Sequence, residues 1–312
     1  KAQFSLDGEY RTRFIADHGF KVPVLENSDA NFSFDQRTRL KMNYSSEKYS
    51  ARLVLQDARV WGSDDMYNPT GLTGNSKALD VFEAWVELTL KGNSRLRIGR
   101  QTWNYGDMRI LSQRNWWTSG MSYDGLLYKM HDAENGLFVD AGLSYNNNGS
   151  RTGAVDNSTW TGMKLKTMNF LNIRKVFNDQ LAATFLTTLA GKEEPRSGDV
   201  LATGTHGLYL RYNEGPNKSD GLWGHVSAYY QHGTDTERLE NGRYKDISAY
   251  MLAPELGVRA LNRDLEMGLG FEWLSGHDYS EKDQDYHNTR HSFDLLYGSR
   301  FIYYGGNMNQ FV

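Results

Sequence analysis

The sequence predicts an all-β chain, a transmembrane antiparallel up-and-down β-barrel, and three observations lead to it. Apolar and charged residues alternate with a period of two through run after run of the chain. The connections between these runs alternate between short and long. No window holds the roughly eighteen apolar residues of a membrane helix, and mean hydropathy is -0.66, a value that barrel strands produce because each turns every second residue away from lipid.

The runs justify the class one by one. In the first, Phe4, Leu6, Tyr10 and Phe14 share one parity, and Asp7, Glu9, Arg11 and Arg13 the other. The second sets Phe32, Phe34, Leu40, Met42 and Tyr44 against Asp35, Arg37, Arg39 and Lys41, and a third shows Tyr49, Ala51, Leu53 and Leu55. Further runs cover 82–90, 96–100, 126–130, 137–145, a less regular 166–177, then 181–189, 208–212, 222–230, 247–258 and 265–273, with the start of another near 293. Proline cannot donate to a strand ladder, so Pro254 predicts a bulge.

The short connections are SSEK at 45–48, KGNS at 91–94, HDAENG at 131–136, NDQ at 178–180, EGPNKSD at 214–220 and a brief one at 261–264. The long ones fall near 16–30, 62–79, 103–120, 146–162, 191–204, 233–245 and 276–292. Short periplasmic turns facing long outer loops are what an outer-membrane barrel has. Lipid then decides which face is which: an Arg or Lys at the membrane midplane costs about 2–4 kcal/mol, so exposing Arg37, Arg39 and Lys41 would cost roughly 6–12 kcal/mol from one strand. The charged parity therefore faces the lumen, and aromatics near strand ends, such as Phe4, Phe14, Phe32, Tyr44, Tyr145 and Trp273, suit interfacial girdles.

The composition closes several other routes. With 31 glycines, 5 prolines and no cysteine, the chain has no disulfide framework, thiolate metal site or thiol nucleophile. A formal charge of -3 argues against a nucleic-acid binder. The opening KAQFSL fits the end of a cleaved leader, with Ala2 last before the cut, and equally a cloning remnant. Residues 1–312 read as one barrel domain with its loops, without linker or low-complexity tract.

With the strands placed, LRIGRQTWNYGDMRI at 96–110, followed by NWWTSGMSYDG at 115–125, resembles the signature of the alginate export family of outer-membrane barrels. LVLQDARVWG at 53–62, FEAWVEL at 82–88, GLGFEWLSG at 268–276 and FDLLYG at 293–298 agree in order with that family. The resemblance implies a barrel of about eighteen strands in the bacterial outer membrane, with a basic lumen that conducts an acidic polysaccharide. Against that number, thirteen runs and the start of a fourteenth lead us to expect a barrel incomplete at its C-terminal end. The partners implied are an anionic polysaccharide or sugar acids, outer-membrane lipid, and a periplasmic export or uptake partner. No cofactor is expected.

Arg11, Arg13, Arg37, Arg39 and Lys41 are the candidate substrate pathway, since planar guanidinium forks suit carboxylates; the bland reading is that they pair with Asp7, Glu9 and Asp35. Arg97 has inward parity, and Arg100, Arg109 and Arg114 join the pathway where alternation fails. That failure after Gly99 predicts a bulge, or a loop 103–120 turned into the lumen. Trp103, Trp116 and Trp117 would then stack on sugars or anchor the loop. Glu83, Glu87 and Asp107 are constriction or pairing carboxylates, with Glu83 and Glu87 expected to partner Arg97 and Arg100. The acidic stretches GSDD at 62–65 and DYSEKDQD at 278–285 lack the spacing of a calcium loop and read as solvated. Two alternatives stand: a general anion-selective porin for small solutes, and a barrel enzyme of lipase or protease type. For the enzyme, His225 is the best single candidate, although no HExxH or GxSxG occurs. A soluble sugar-binding sandwich is the third reading.

Overall fold

The computed structural model describes residues 2–18, 29–61, 79–146, 164–194 and 198–294. These form one antiparallel sheet whose strands follow chain order: β1 (Gln3–Asp17), β2 (Asn31–Ser45), β3 (Tyr49–Val60), β4 (Asp80–Thr89), β5 (Ser94–Gln101), β6 (Tyr123–Asp132), β7 (Leu137–Tyr145), β8 (Lys164–Val176), β9 (Leu181–Glu193), β10 (Val200–Tyr212), β11 (Gly221–Arg238), β12 (Tyr244–Ala260) and β13 (Leu265–Gly270). Two short strands, β14 (Trp273–Leu274) and β15 (Thr289–Arg290), continue along β12, with the one-turn helix α1 (Gln284–His287) just before β15. Among the described residues β1 pairs with β2 alone and β13 with β12 alone, so the sheet is open at these two edges. The run whose start is expected near 293 lies, beyond Asp294, outside the described residues.

The alternation read from the sequence sets the two faces. In the β1–β2 register, Leu6↔Met42 and Phe14↔Phe34 fall on the outer face, while Arg11↔Arg37 and Arg13↔Asp35 fall on the inner one. The outer face keeps Phe4, Leu6, Tyr10 and Phe14 more than half exposed, the condition of side chains that meet lipid. At the long-loop end Phe34 stacks on Trp61 at 5.1 Å and touches Phe14 at 5.0 Å, and at the other end Tyr44 stacks on Tyr49 at 5.2 Å. These rings fit two interfacial girdles.

Two expected long connections, 191–204 and 233–245, are short. β10 begins at Val200, β11 reaches Arg238 and β12 starts at Tyr244, leaving a five-residue turn at 239–243 between the last two. These strands rise past the apolar belt, where both faces can be polar, so the ladder continues after the alternation has faded. The bulge expected at Pro254 is also absent: Pro254 sits in register opposite Val226. Its missing N–H is felt on the other edge of β12, where pairing breaks between Glu255↔Gly270 and Leu252↔Trp273 and leaves Phe271 and Glu272 between β13 and β14.

The sheet curls around the segment that joins β5 to β6. Asp107 of this segment accepts a hydrogen bond from Ser227 of β11, and Asn115 accepts from Arg11 and Arg37 of β1 and β2. Nine strand spacings separate β2 from β11, about 43 Å on a flat sheet. Eight residues span at most about 29 Å when extended, and here they contain turns at Met108 and Arg114, whose φ is positive. Only a curved sheet brings both walls to one loop. An apolar core lies inside this curve, with Trp103, Ile110, Leu111 and Met121 of the segment packed among Tyr123, Leu127, Met168, Phe170, Leu186, Tyr229, Met251 and Phe293.

Candidate functional site

The inward segment, residues 102–122, is a folded unit. Tyr105 N–H donates to Leu111 O at 3.2 Å, Met108 N–H to Tyr105 O at 3.0 Å, and Met121 N–H to Gln113 O at 2.7 Å, the last closing the base of an excursion over 114–120. Asn104 Oδ1 takes Gln113 N–H at 2.8 Å and braces that base. Trp103 anchors the entry, stacked on Tyr123 at 4.5 Å and edge-on to Phe170 at 4.9 Å. Of the three tryptophans considered for sugar stacking, Trp103 is thus a core residue at 1% exposure, while Trp116 is 74% exposed.

The basic row of β1 and β2 holds the tip of this segment. Arg11 donates to Asn115 O and Trp117 O, both at 2.8 Å, and to Trp116 O at 3.3 Å. Arg13 donates to Trp116 O at 2.9 Å and to Thr118 Oγ1 at 2.9 Å. Arg37 donates to Asn115 O at 3.1 Å and Trp117 O at 3.2 Å, and Arg39 to Asn115 Oδ1 and Ser119 O, both at 3.0 Å. The pairing with acids also occurs: Arg37 bonds Glu9, Lys41 lies 3.0 Å from Glu9, and Arg13 lies 3.2 Å from Asp35. Arg37 and Arg39 are 2% and 4% exposed, which arginine tolerates only when its N–H groups are satisfied.

A register shift in β4 opposite Val54 and Leu55 turns two successive residues, Phe82 and Glu83, to the inner face, as a bulge does. Phe82 takes the Arg39 guanidinium over its ring at 3.6 Å, and Glu83 accepts from Thr102 and lies 2.7 Å from Arg52. Glu87 gathers Arg97 at 2.7 Å, Lys129 at 3.1 Å and Arg95 at 3.5 Å, and Arg97 also stacks on Trp85 at 3.7 Å. At the far wall Asp107 accepts from Ser227 and Tyr229 and pairs with Arg109, which also meets Glu272.

Three placements differ from the sequence reading. Arg100 is on the Ile98 parity, the outer face, where it makes two bonds to Asp124 at 2.9 and 2.7 Å. Its position near the end of β5 puts this pair at the rim, clear of the midplane where lipid would exact the full cost of a charge. Accordingly Glu83 and Glu87 partner Arg52 and Arg97, and Arg100 pairs with neither. Arg114 belongs to the segment itself, with its guanidinium 5.6 Å from the Trp117 ring. The bulge expected after Gly99 is absent, since β5 stays in register with β4 and β6 through Arg100; Gly99 itself has φ +122°, and a Cβ there would lie 2.2 Å from Ala84 O.

For the enzyme alternative, His225 sits between Glu214 at 3.0 Å and Glu255 at 3.4 Å, while the neighbouring Ser227 hydroxyl is bonded to Asp107. Serine and histidine on this strand thus turn to different acids. GSDD at 62–65 lies outside the described residues. In the second acidic stretch, Asp278 accepts from Ser280, which together lower its pKa, and Asp283 caps α1. The reading missed the inward residues Arg52, Arg95 and Lys129, although their parity was available. It also missed a second inward segment, 275–294, where Gln231 and Asp294 exchange two bonds at 2.8 and 2.7 Å and Phe293 joins the core.

The fold is similar to that of OccAB4 of Acinetobacter baumannii (TM-score 0.54, 14% identity, 88% of this chain and 68% of that one) and OccK5 of Pseudomonas aeruginosa (TM-score 0.52, 14% identity, 89% and 66%). Pseudomonas aeruginosa OpdL is similar at a TM-score of 0.50 and 13% identity, over 91% of this chain and 68% of that one. No protein of curated function matches the sequence. The alginate export family model matches residues 2–310. An up-and-down antiparallel sheet with an apolar outer face, porin-like neighbours and a family match over nearly the whole chain lead to one conclusion: the chain belongs to the alginate export family of the bacterial outer membrane.

Proposed function

We propose that this outer-membrane channel passes an anionic saccharide along the inner face of β1–β6. One observation carries the reading. On that wall the inward cations Arg11, Arg13, Arg37, Arg39, Lys41, Arg52, Arg95, Arg97 and Lys129 outnumber the inward carboxylates Asp7, Glu9, Asp17, Asp35, Asp80, Glu83 and Glu87. Basic charges in a channel with low-dielectric walls focus a field that draws anions. The screening length at physiological salt is about 8 Å, so each charge acts locally and a polymer is handed from contact to contact. Arginine forks match carboxylates geometrically, and the exposed Trp116 offers a ring face beside Arg13, whose guanidinium is 5.0 Å from its centroid.

The inward segment also supports the second reading, a general anion-selective porin for small solutes, because a loop packed inside the curve narrows any passage. One experiment separates the two. In planar bilayers with a salt gradient, both readings expect a zero-current potential of anion-selective sign. Only the saccharide reading expects a galacturonate oligomer, and not a neutral oligomer of equal length, to interrupt the current at micromolar concentration. A cation-selective sign would overturn both.

A further inference from the structure

We propose that the tip of the inward segment, residues 114–120, is a latch released by carboxylates: an anionic sugar entering beside β1 and β2 takes Arg11 and Arg39 from the loop oxygens that now hold them. The proposal rests on the anionic-saccharide reading and adds regulation to it.

Arg11 spends its N–H groups on the carbonyls of Asn115, Trp116 and Trp117. Arg39 spends its own on Gln56 Oε1 at 2.7 Å, Asn115 Oδ1 and Ser119 O. Among the described residues neither has a carboxylate within ion-pair distance, whereas Arg13 and Arg37 do. A neutral oxygen is the weaker acceptor for a guanidinium: a carboxylate adds the attraction of its own charge and matches the fork with two oxygens at once, where each loop carbonyl offers one. A uronate therefore displaces these carbonyls, while a neutral sugar offers hydroxyls no better than what it would replace.

The segment is built to move at the tip and stay fixed at the base. The base is held by the stacked Trp103, by the Gln113–Met121 bond and by Asp107 on β11. The tip is held by polar bonds, from the arginines and from Thr118 to Asp35 at 2.6 Å, and of its two tryptophans Trp117 is half-buried and Trp116 is left exposed. Gly120, with φ +73°, supplies a turn at the junction. Burial thus secures one part and exchangeable bonds the other.

The chain has no cysteine, so a single introduced thiol reports cleanly. Ser119 is 8% exposed under Arg39. In Ser119→Cys protein folded into liposomes, a membrane-impermeant thiol reagent should react about tenfold faster with trigalacturonate present, a net exchange gain of about 1.4 kcal/mol. Maltotriose should leave the rate unchanged. Arg11→Gln with Arg39→Gln in the same background, checked for folding by heat-modifiable migration, should react fast without any sugar. A Thr118→Cys/Asp35→Cys tether added to the reporter and oxidised should abolish the acceleration. Unchanged or slowed labelling with trigalacturonate, or equal acceleration by maltotriose, overturns the latch. If wild-type channels are anion-selective and interrupted by the oligomer while labelling does not accelerate, the latch alone fails; if they are neither, the functional reading has failed first.

Discussion

Replacing Glu87 by glutamine is expected to raise anion preference at a modest cost in stability. Glu87 is 5% exposed and faces three cations, so with Arg95, Arg97 and Lys129 the cluster carries three positive charges and one negative, a net of +2 that becomes +3 in the variant. Glutamine keeps the volume and one acceptor oxygen. The gross attraction of a charge pair at about 4 Å is about 4 kcal/mol at an effective dielectric near 20. Arg97 and Lys129 are 18% and 17% exposed, so solvent returns part of this. Arg95, at 60%, contributes little. The remaining loss is about 2 kcal/mol, the size of a hydrogen bond to a charged group. For permeating ions, one unit charge about 7 Å away in water contributes about 0.6 kcal/mol, close to RT, so local anion occupancy rises about 2.7-fold before screening. Measurement belongs at about 0.01 M salt, where the screening length is about 30 Å. The zero-current potential in a salt gradient should move towards the anion limit, with the protein still heat-modifiable. No shift, or a shift towards cations, in folded protein would show that this carboxylate does not face the ion path, and the placement of the basic wall would be refuted.

Three further outcomes follow from other parts of the molecule. Gly99→Ala puts a Cβ 2.2 Å from Ala84 O at φ +122°, so the β4–β5 pair should be disrupted and the yield of heat-modifiable barrel in refolding should drop sharply, whereas Gly92→Ala, in open space, should cost no more than about 1–2 kcal/mol. Asp107→Ala removes the acceptor for Ser227 and Tyr229 and takes one carboxylate from Arg109; breaking a buried pair costs about 3–5 kcal/mol, and single-channel traces should become noisier as the segment leaves β11. His277 has its pKa lowered by burial, then by His287 and His291. It faces those histidines, Lys245 and Glu237, and a depressed folded pKa means docking stability is present above the ordinary histidine pKa of about 6.5 and lost as pH falls through the folded value. Hydrogen exchange in 276–291, corrected for intrinsic rates, should therefore accelerate on acidification, and His277→Asn should remove that dependence.

Legibility followed the range of the forces involved. Period-two alternation and the price of charge in lipid act residue by residue, so the strands, the chain-order sheet and the outward set Phe4, Leu6, Tyr10 and Phe14 could be read directly. The inward parity of Arg11, Arg13, Arg37, Arg39 and Arg97 could be read the same way. Parity fails where the chain leaves the regular ladder, at the Phe82–Glu83 bulge and in the strands that rise as polar ladders beyond the belt, whereas Arg100 stays in register on the outer parity, where Asp124 holds its charge at the rim.

By itself, then, the sequence determined the class of fold and which side of each strand meets lipid, because solvation of a strand face depends only on the residues of that strand. Only the tertiary structure decided what the inward charges are bonded to. Arg11 finds its acceptors 104 to 106 residues away, and Asp107 finds Ser227 120 residues on. Such pairings depend on how far the sheet curls and on an apolar core inside it. Met168, Phe170, Leu186 and Met251 face inward there against the expected pattern, because a folded segment, rather than water, covers them.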